Sequence, residues 1–203
     1  MLRPTARPAS PRSLRRFSAS CNATAIFPKT YLRLRSTLPR PKNGATMTTT
    51  TAVPPESRIL NEGYGPGAWH GPDMKAALAD VKPALAFWRP ATGRHNIAEL
   101  VLHHAFFVRA VRSQISGRPA EPFVLPGEDW FVVTDQKPIS WSKIQSTLES
   151  EQQRLAELVA AIEAGTVTPA TAAPERFGLI LGITCHAIYH AGQVQLIKRL
   201  QEA

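Results

Sequence analysis

Apolar residues recur every three or four positions along four stretches of the chain, and this spacing predicts four helices. The second helix begins at Asn96, a suitable N-cap with Glu99 three residues on as in a capping box, and ends at Gly117. Pro83 is expected to kink or interrupt the first predicted helix. The predicted ranges are Asp73–Trp88, Asn96–Gly117, Ser140–Ala164 and Glu175–Leu200.

Residues 118–140 break the pattern with prolines and a glycine around Trp130. They predict a long loop with at most one short extended piece, and such loops inside compact domains are often functional. Because strand patterns are almost absent elsewhere, the four helices predict an all-α fold. We expect an antiparallel four-helix bundle over residues 57–203.

Residues 1–50 have a different composition from the rest of the chain. They hold ten of the 24 Lys and Arg residues and none of the 15 Asp and Glu residues, together with many Pro, Ser and Thr residues. This predicts a disordered basic tail. Two interpretations compete: an organelle transit peptide, or an overcalled start with translation beginning at Met47. We favour the second.

The charge of the remaining residues limits the classes of partner. The whole chain carries a net charge of +9, but residues 51–203 hold 14 basic and 15 acidic residues and are nearly neutral. We therefore expect no nucleic-acid interface on the folded domain. The absence of a long apolar run predicts no transmembrane helix and no membrane partner. The two cysteines do not indicate a disulfide framework, which favours a reducing compartment. We therefore expect the protein in the cytoplasm, or in an organelle if the tail is a transit peptide.

Two histidines in the last helix are the main chemical signal. His186 and His190 lie four residues apart and therefore on one helix face, which they share with Ile183 and Gln193. That face should point into the bundle. Two buried imidazoles are satisfied either by a shared metal ion or by separate hydrogen bonds, and the spacing alone leaves both interpretations open.

A third ligand could come from the second helix, which carries His103 and His104. Adjacent residues point about 100° apart, so only one can face the pair on the last helix. Periodicity does not show which of the two is the candidate ligand, because His104 fits the main apolar stripe and His103 fits the neighbouring one. Cys185 and Tyr189 point away from the ligand face and are interpreted as packing residues. His70 and His95 stand at helix entrances, where a capping or solvent-facing role is expected.

The order and spacing of several short motifs match a known family. Over about residues 60–203 the chain resembles the DinB-like superfamily, which includes thiol-dependent S-transferases. The YHAGQ sequence at Tyr189–Gln193 is the most specific match. The matching pieces are Trp69–Pro72, His95–His103, Gly117, Glu128–Trp130, Trp141, Gly182–Ile183 and His186–Gln193.

The resemblance implies a four-helix bundle with a divalent metal ion held by His103, His186 and His190. It selects His103 because Ala105 follows two positions later, as in the family pattern. His104 falls on a position that is usually apolar, so its replacement should chiefly affect stability. One departure is Phe107, where Trp is expected.

Three neutral imidazoles would leave the metal ion an open position, as in catalytic sites. Three histidines suit zinc, nickel, iron or copper, and we expect zinc, nickel or iron. The resemblance implies a metal-dependent transferase acting with a low-molecular-weight thiol on a small-molecule substrate, or a hydrolase. Gln193 would orient the nucleophile or a ligand histidine, or else pack in the bundle. The alternative is a non-catalytic metal-binding stress-response protein. Family analogy also favours a homodimer.

Overall fold

The computed structural model describes residues 55–202, which form helices and loops without a β-strand. The predicted tail at residues 1–50 and the choice of Met47 as start lie outside the described residues, and the domain boundaries remain predictions. None of the described helices is long and apolar enough to cross a membrane. The helices are α1 (Pro55–Tyr64), α2 (Met74–Leu78), α3 (Pro83–Ala86), α4 (Ile97–Ser116), α5 (Trp141–Glu163) and α6 (Ala173–Glu202).

The three long helices confirm the predicted pattern, and their ends follow local chemistry. Asn96 caps α4 by accepting a hydrogen bond from the Glu99 amide at 2.9 Å, and Gly117 ends it with a φ of 68°. Ser140 caps α5 in the same way, through the Lys143 amide at 3.2 Å. The all-helical prediction is therefore confirmed.

The predicted first helix is divided into α2 and α3. The Asp73 carboxylate caps α2 at the Ala76 amide, 2.9 Å away, and Pro83 occupies the first position of α3. A proline has no amide hydrogen to continue a preceding helix, but it suits the first turn of a new one. The predicted range Asp73–Trp88 thus contains two short helices.

Helix α1 was not predicted from the sequence. It packs along α6 at Gly63, where an added Cβ would lie 3.1 Å from both the Thr184 carbonyl oxygen and the Ala187 Cβ. Glycine is a poor helix former, but here it permits close approach of two helix backbones. Helix α1 therefore packs closely against residues more than 120 positions along the chain.

Contacts at the helix ends define the directions in the bundle. Glu163, at the end of α5, accepts a hydrogen bond from the Glu56 amide at the start of α1, so these helices are antiparallel. The Glu56 carboxylate pairs with Arg176 near the start of α6 at 2.8 Å, so α1 and α6 run in the same direction. The Ala170 amide, just before α6, donates to the Ile115 carbonyl near the end of α4 at 2.8 Å. Consequently, α4 and α5 are parallel to each other and antiparallel to α1 and α6.

Because α4 and α5 run in the same direction, residues 117–140 must return along the bundle as a crossover. We call this segment the crossover loop. It is anchored at the start of α4, where the Asn96 amide group donates to the Val133 carbonyl at 2.7 Å, and its Phe131 and Val133 are buried in the core. The predicted long loop therefore passes over the half of α4 that carries His103.

Candidate metal centre

Helix α6 places two imidazoles on the side facing α4. His186 and His190 are separated by one helical turn, and their Nε2 atoms are 2.9 Å apart. His190 is buried and His186 is partly buried. The regular geometry of a long helix is enough to hold both rings on one face.

Helix α4 contributes a third imidazole to the same point. The Nε2 atom of His103 is 3.1 Å from the Nε2 atom of His186, and one nitrogen from each of His103, His186 and His190 lies within 4.8 Å of the other two. Two imidazole nitrogens bound to a tetrahedral zinc ion at about 2.05 Å would be roughly 3.3 Å apart. Small adjustments of the rings would accommodate an ion, so the cluster is compatible with metal binding.

The far nitrogens of two of these rings meet oxygen acceptors. The Nδ1 atom of His103 is 3.0 Å from the Asp129 carbonyl oxygen and 2.9 Å from its carboxylate, and the Nδ1 atom of His190 is 2.5 Å from the Gln193 side-chain oxygen. These oxygens only accept, so Nδ1 carries the proton in both rings. The lone pair of each neutral imidazole is then on Nε2, which faces the cluster.

The far nitrogen of His186 meets a histidine instead. Its Nδ1 atom is 3.0 Å from the Nδ1 atom of His104, whose side chain is fully buried. The structure therefore brings both candidate residues of α4 against His186. His103 approaches the Nε2 atom that faces the cluster, and His104 approaches the opposite nitrogen.

Asp129 reaches His103 through an unusual backbone conformation. Its φ of 64° is the sole positive value at a non-glycine residue among the described residues. Asp tolerates this left-handed region better than most residues do, at some cost in conformational energy. The conformation brings both the carbonyl and the carboxylate of one residue to the His103 Nδ1 atom.

The crossover loop also covers the centre with an aromatic ring. Trp130 lies between His103 and His95, with ring centroids 3.8 Å and 3.7 Å away and interplanar angles of 8° and 10°. Such stacking shields one face of His103 from water and restricts its rotation. His95 thus supports the site indirectly, which its predicted capping or solvent-facing role did not include.

A buried carboxylate holds the base of this stack. Glu99 accepts hydrogen bonds from Arg89, from His95 at 2.9 Å and from the Val133 amide at 3.1 Å. Although burial raises the pKa of Glu99, these partners lower it below its ordinary value. The expected capping box is therefore only half formed: Asn96 caps the helix, while the Glu99 side chain is used by the network.

Three further residues that were interpreted from the sequence lie outside the histidine cluster. His70 hydrogen-bonds the Glu62 carbonyl at 2.7 Å, away from the cluster. Cys185 is exposed and is not the packing residue expected. Tyr189 is 64% exposed, and its hydroxyl accepts a hydrogen bond from the Gln193 amide group at 3.2 Å, so it also does not pack in the core.

Burial keeps the clustered imidazoles neutral. Burial and the neighbouring His190 and His103 lower the pKa of His186 to about 3. Burial lowers the pKa of His190 to about 4, although the hydrogen bond that His190 donates to the Gln193 side-chain oxygen opposes this shift. The pKa of His103 is also lowered by burial, although Asp129 opposes the shift. Metal ions bind neutral imidazole, so these rings are in the required form at neutral pH.

The lowered pKa values predict that acid destabilises the metal-free protein. In the unfolded chain these imidazoles titrate near the ordinary value of about 6.5. As the pH falls from that value towards the folded pKa of His190 at about 4, the unfolded chain binds more protons than the folded chain, so the free energy of unfolding decreases. We expect the urea midpoint of the metal-free protein to fall steadily in this window. An equal midpoint at pH 7 and pH 5 would contradict the shifts.

The fold and the cluster together define an all-helical bundle with three convergent histidines that are compatible with a metal ion. Residues 68–194, more than half of the chain, match the DinB superfamily. The chain belongs to the DinB superfamily. No curated protein and no solved structure shows significant similarity to it.

Proposed function

We propose that the protein binds one divalent metal ion through the Nε2 atoms of His103, His186 and His190. The observation that carries the proposal is the combined orientation of the rings: three Nε2 atoms converge, while each Nδ1 atom has a hydrogen-bond partner. Two unrelated core histidines would not require this arrangement. Zinc, nickel and iron all suit three imidazole ligands.

We further propose that the centre serves a transferase that uses a low-molecular-weight thiol. When bound, a divalent ion with three neutral ligands retains its full charge and lowers the pKa of a thiol or a water molecule at its open position. The chain's own residues hold the three rings in place, and Trp130 shields one side of the site. The same arrangement would suit a hydrolase if water took the place of the thiol.

A neighbouring cavity supports a small-molecule substrate. It has a volume of about 530 Å³ and includes Gln193, which contacts His190, and His95, which stacks on Trp130. Leu196 and Leu200 give it an apolar side, and Arg94 lines it as well. In the described part of the chain the Arg94 guanidinium has no carboxylate partner, so it is available to an anionic group such as a thiol's carboxylate.

Elemental analysis of the purified full-length chain, before and after chelation, tests the metal site. We expect about one divalent ion per chain, removed by the chelator and restored by added metal, with His70→Ala as a histidine control outside the cluster. A chain that neither retains nor takes up metal would contradict the proposal.

Activity is tested separately by following metal-dependent consumption of thiols with a panel of electrophilic substrates. We expect turnover only with the reloaded chain. Metal uptake without thiol consumption or hydrolysis would instead support the non-catalytic metal-binding alternative.

A further inference from the structure

His104 occupies a position that packing alone does not explain. Its side chain is fully buried, and within the described residues its Nε2 atom has no hydrogen-bond partner. A buried polar atom without a partner costs free energy, whereas an apolar side chain of similar volume would fill the same space without that cost. The resemblance led us to expect a plain core role for this residue, at a position that is usually apolar.

The partner of its other nitrogen indicates a different role. If His186 presents the Nε2 lone pair to a metal ion, its Nδ1 atom carries the proton and must donate it in a hydrogen bond. The Nδ1 atom of His104, 3.0 Å away, is the acceptor in that arrangement. The proton of neutral His104 is then on Nε2, the atom without a partner.

Each of the three clustered rings therefore has a hydrogen-bond acceptor at its Nδ1 atom. His103 donates to Asp129 and His190 donates to Gln193, both of which offer oxygen acceptors. His186 has no such oxygen, and His104 supplies a nitrogen acceptor in its place.

We propose that His104 is a positioning residue that fixes the tautomer and orientation of His186 for metal binding. The inference rests on the proposed metal centre. Partners of this kind typically change metal affinity by about 10–100-fold when they are removed. His104 acts through His186 and is not itself a ligand, since its Nδ1 atom meets the Nδ1 atom of His186 and not the Nε2 atom that faces the cluster.

Two substitutions separate positioning from core packing. His104→Leu removes the acceptor but fills the space, so the metal-free chain should be as stable as the wild type or more stable, while zinc affinity falls about 10–100-fold. His104→Asn places an oxygen near the original Nδ1 position but leaves a gap, so it should lower stability and largely preserve affinity. A purely structural role predicts the opposite ranking for affinity.

The experiment measures two quantities on the full-length wild-type chain and both variants. Zinc affinity is obtained by competition with a chromophoric chelator, and stability by urea unfolding of the metal-free chains. The visible absorption of the cobalt(II)-loaded chains provides a third measurement, and we expect an altered spectrum for His104→Leu and a spectrum close to wild type for His104→Asn.

The outcomes distinguish this role from the proposed function. Failure of the wild-type chain to bind zinc or cobalt would overturn both. Binding by the wild type with unchanged affinity in His104→Leu would overturn the positioning role alone. Loss of affinity in both variants in proportion to lost stability would also overturn it, because the residue would then act only through the fold.

Discussion

Replacing His186 with alanine should remove stoichiometric metal from the protein. His186 is central to the cluster, because its Nε2 atom lies 3.1 Å from that of His103 and 2.9 Å from that of His190. In structural zinc sites, binding of about 10–16 kcal/mol shared among four ligands corresponds to roughly 2.5–4 kcal/mol per ligand, so losing one histidine here should weaken binding by about 10²–10³-fold. His103→Ala and His190→Ala should have effects of the same order.

Metal content after gel filtration and chelator competition on the same variants measure this effect. His70→Ala, a substitution at a histidine outside the cluster, is the matched control and should retain the metal. Circular dichroism of the metal-free variants checks that the helices are intact. Full metal content in His103→Ala would show that this residue is not a ligand and that its neighbour on α4 must be reconsidered.

Replacing Glu99 with glutamine should lower the free energy of unfolding substantially. Glu99 is 1% exposed, and the substitution removes the charge that Arg89 and His95 share. Breaking a fully buried ion pair costs about 3–5 kcal/mol; here we expect about 2–3 kcal/mol, since Arg89 retains partial access to water. The pKa of Glu99 is already lowered, so the charged form is present at neutral pH.

Urea unfolding of the metal-free protein at pH 7 measures the change. Glu149→Gln is the matched control, because Glu149 also pairs with a basic residue but on the surface. The side chains of Glu149 and Lys75 are 59% and 61% exposed, and such a pair contributes only about 0–1 kcal/mol to stability. A loss below about 1 kcal/mol for Glu99→Gln would show that the network is not a stability determinant.

The long helices could be predicted because their signals are local. Asn96, Gly117 and Ser140 mark helix ends through hydrogen bonds and backbone angles that involve only nearby residues. Helix α1 was missed although it begins at Pro55 and carries Glu56 in its first turn, both typical of a helix start. It is only ten residues long, and the surface of α6 against which it packs lies far along the chain. The separation of α2 from α3 was anticipated only as an effect of Pro83.

The histidines show the same limit at the site. The spacing of His186 and His190 placed them on one face, since four residues make one turn. Periodicity did not separate His103 from His104, and the structure shows why: both are buried on α4 and both lie within hydrogen-bonding distance of His186. The resemblance selected His103 as the expected ligand. The partners of the rings could not be predicted without the tertiary structure, because Asp129 reaches His103 from 26 positions along the chain.

The parallel direction of α4 and α5 has a consequence for how the protein can diverge. A chain with this helix order must span the length of the bundle between them, and in this protein the crossover loop passes over His103. The rings themselves lie on rigid helices, whereas Asp129 and Trp130 lie on the crossover loop. Insertions and substitutions are tolerated in such connections more readily than in packed helices. The surroundings of the three histidines could therefore be remodelled through one segment while the bundle is inherited unchanged.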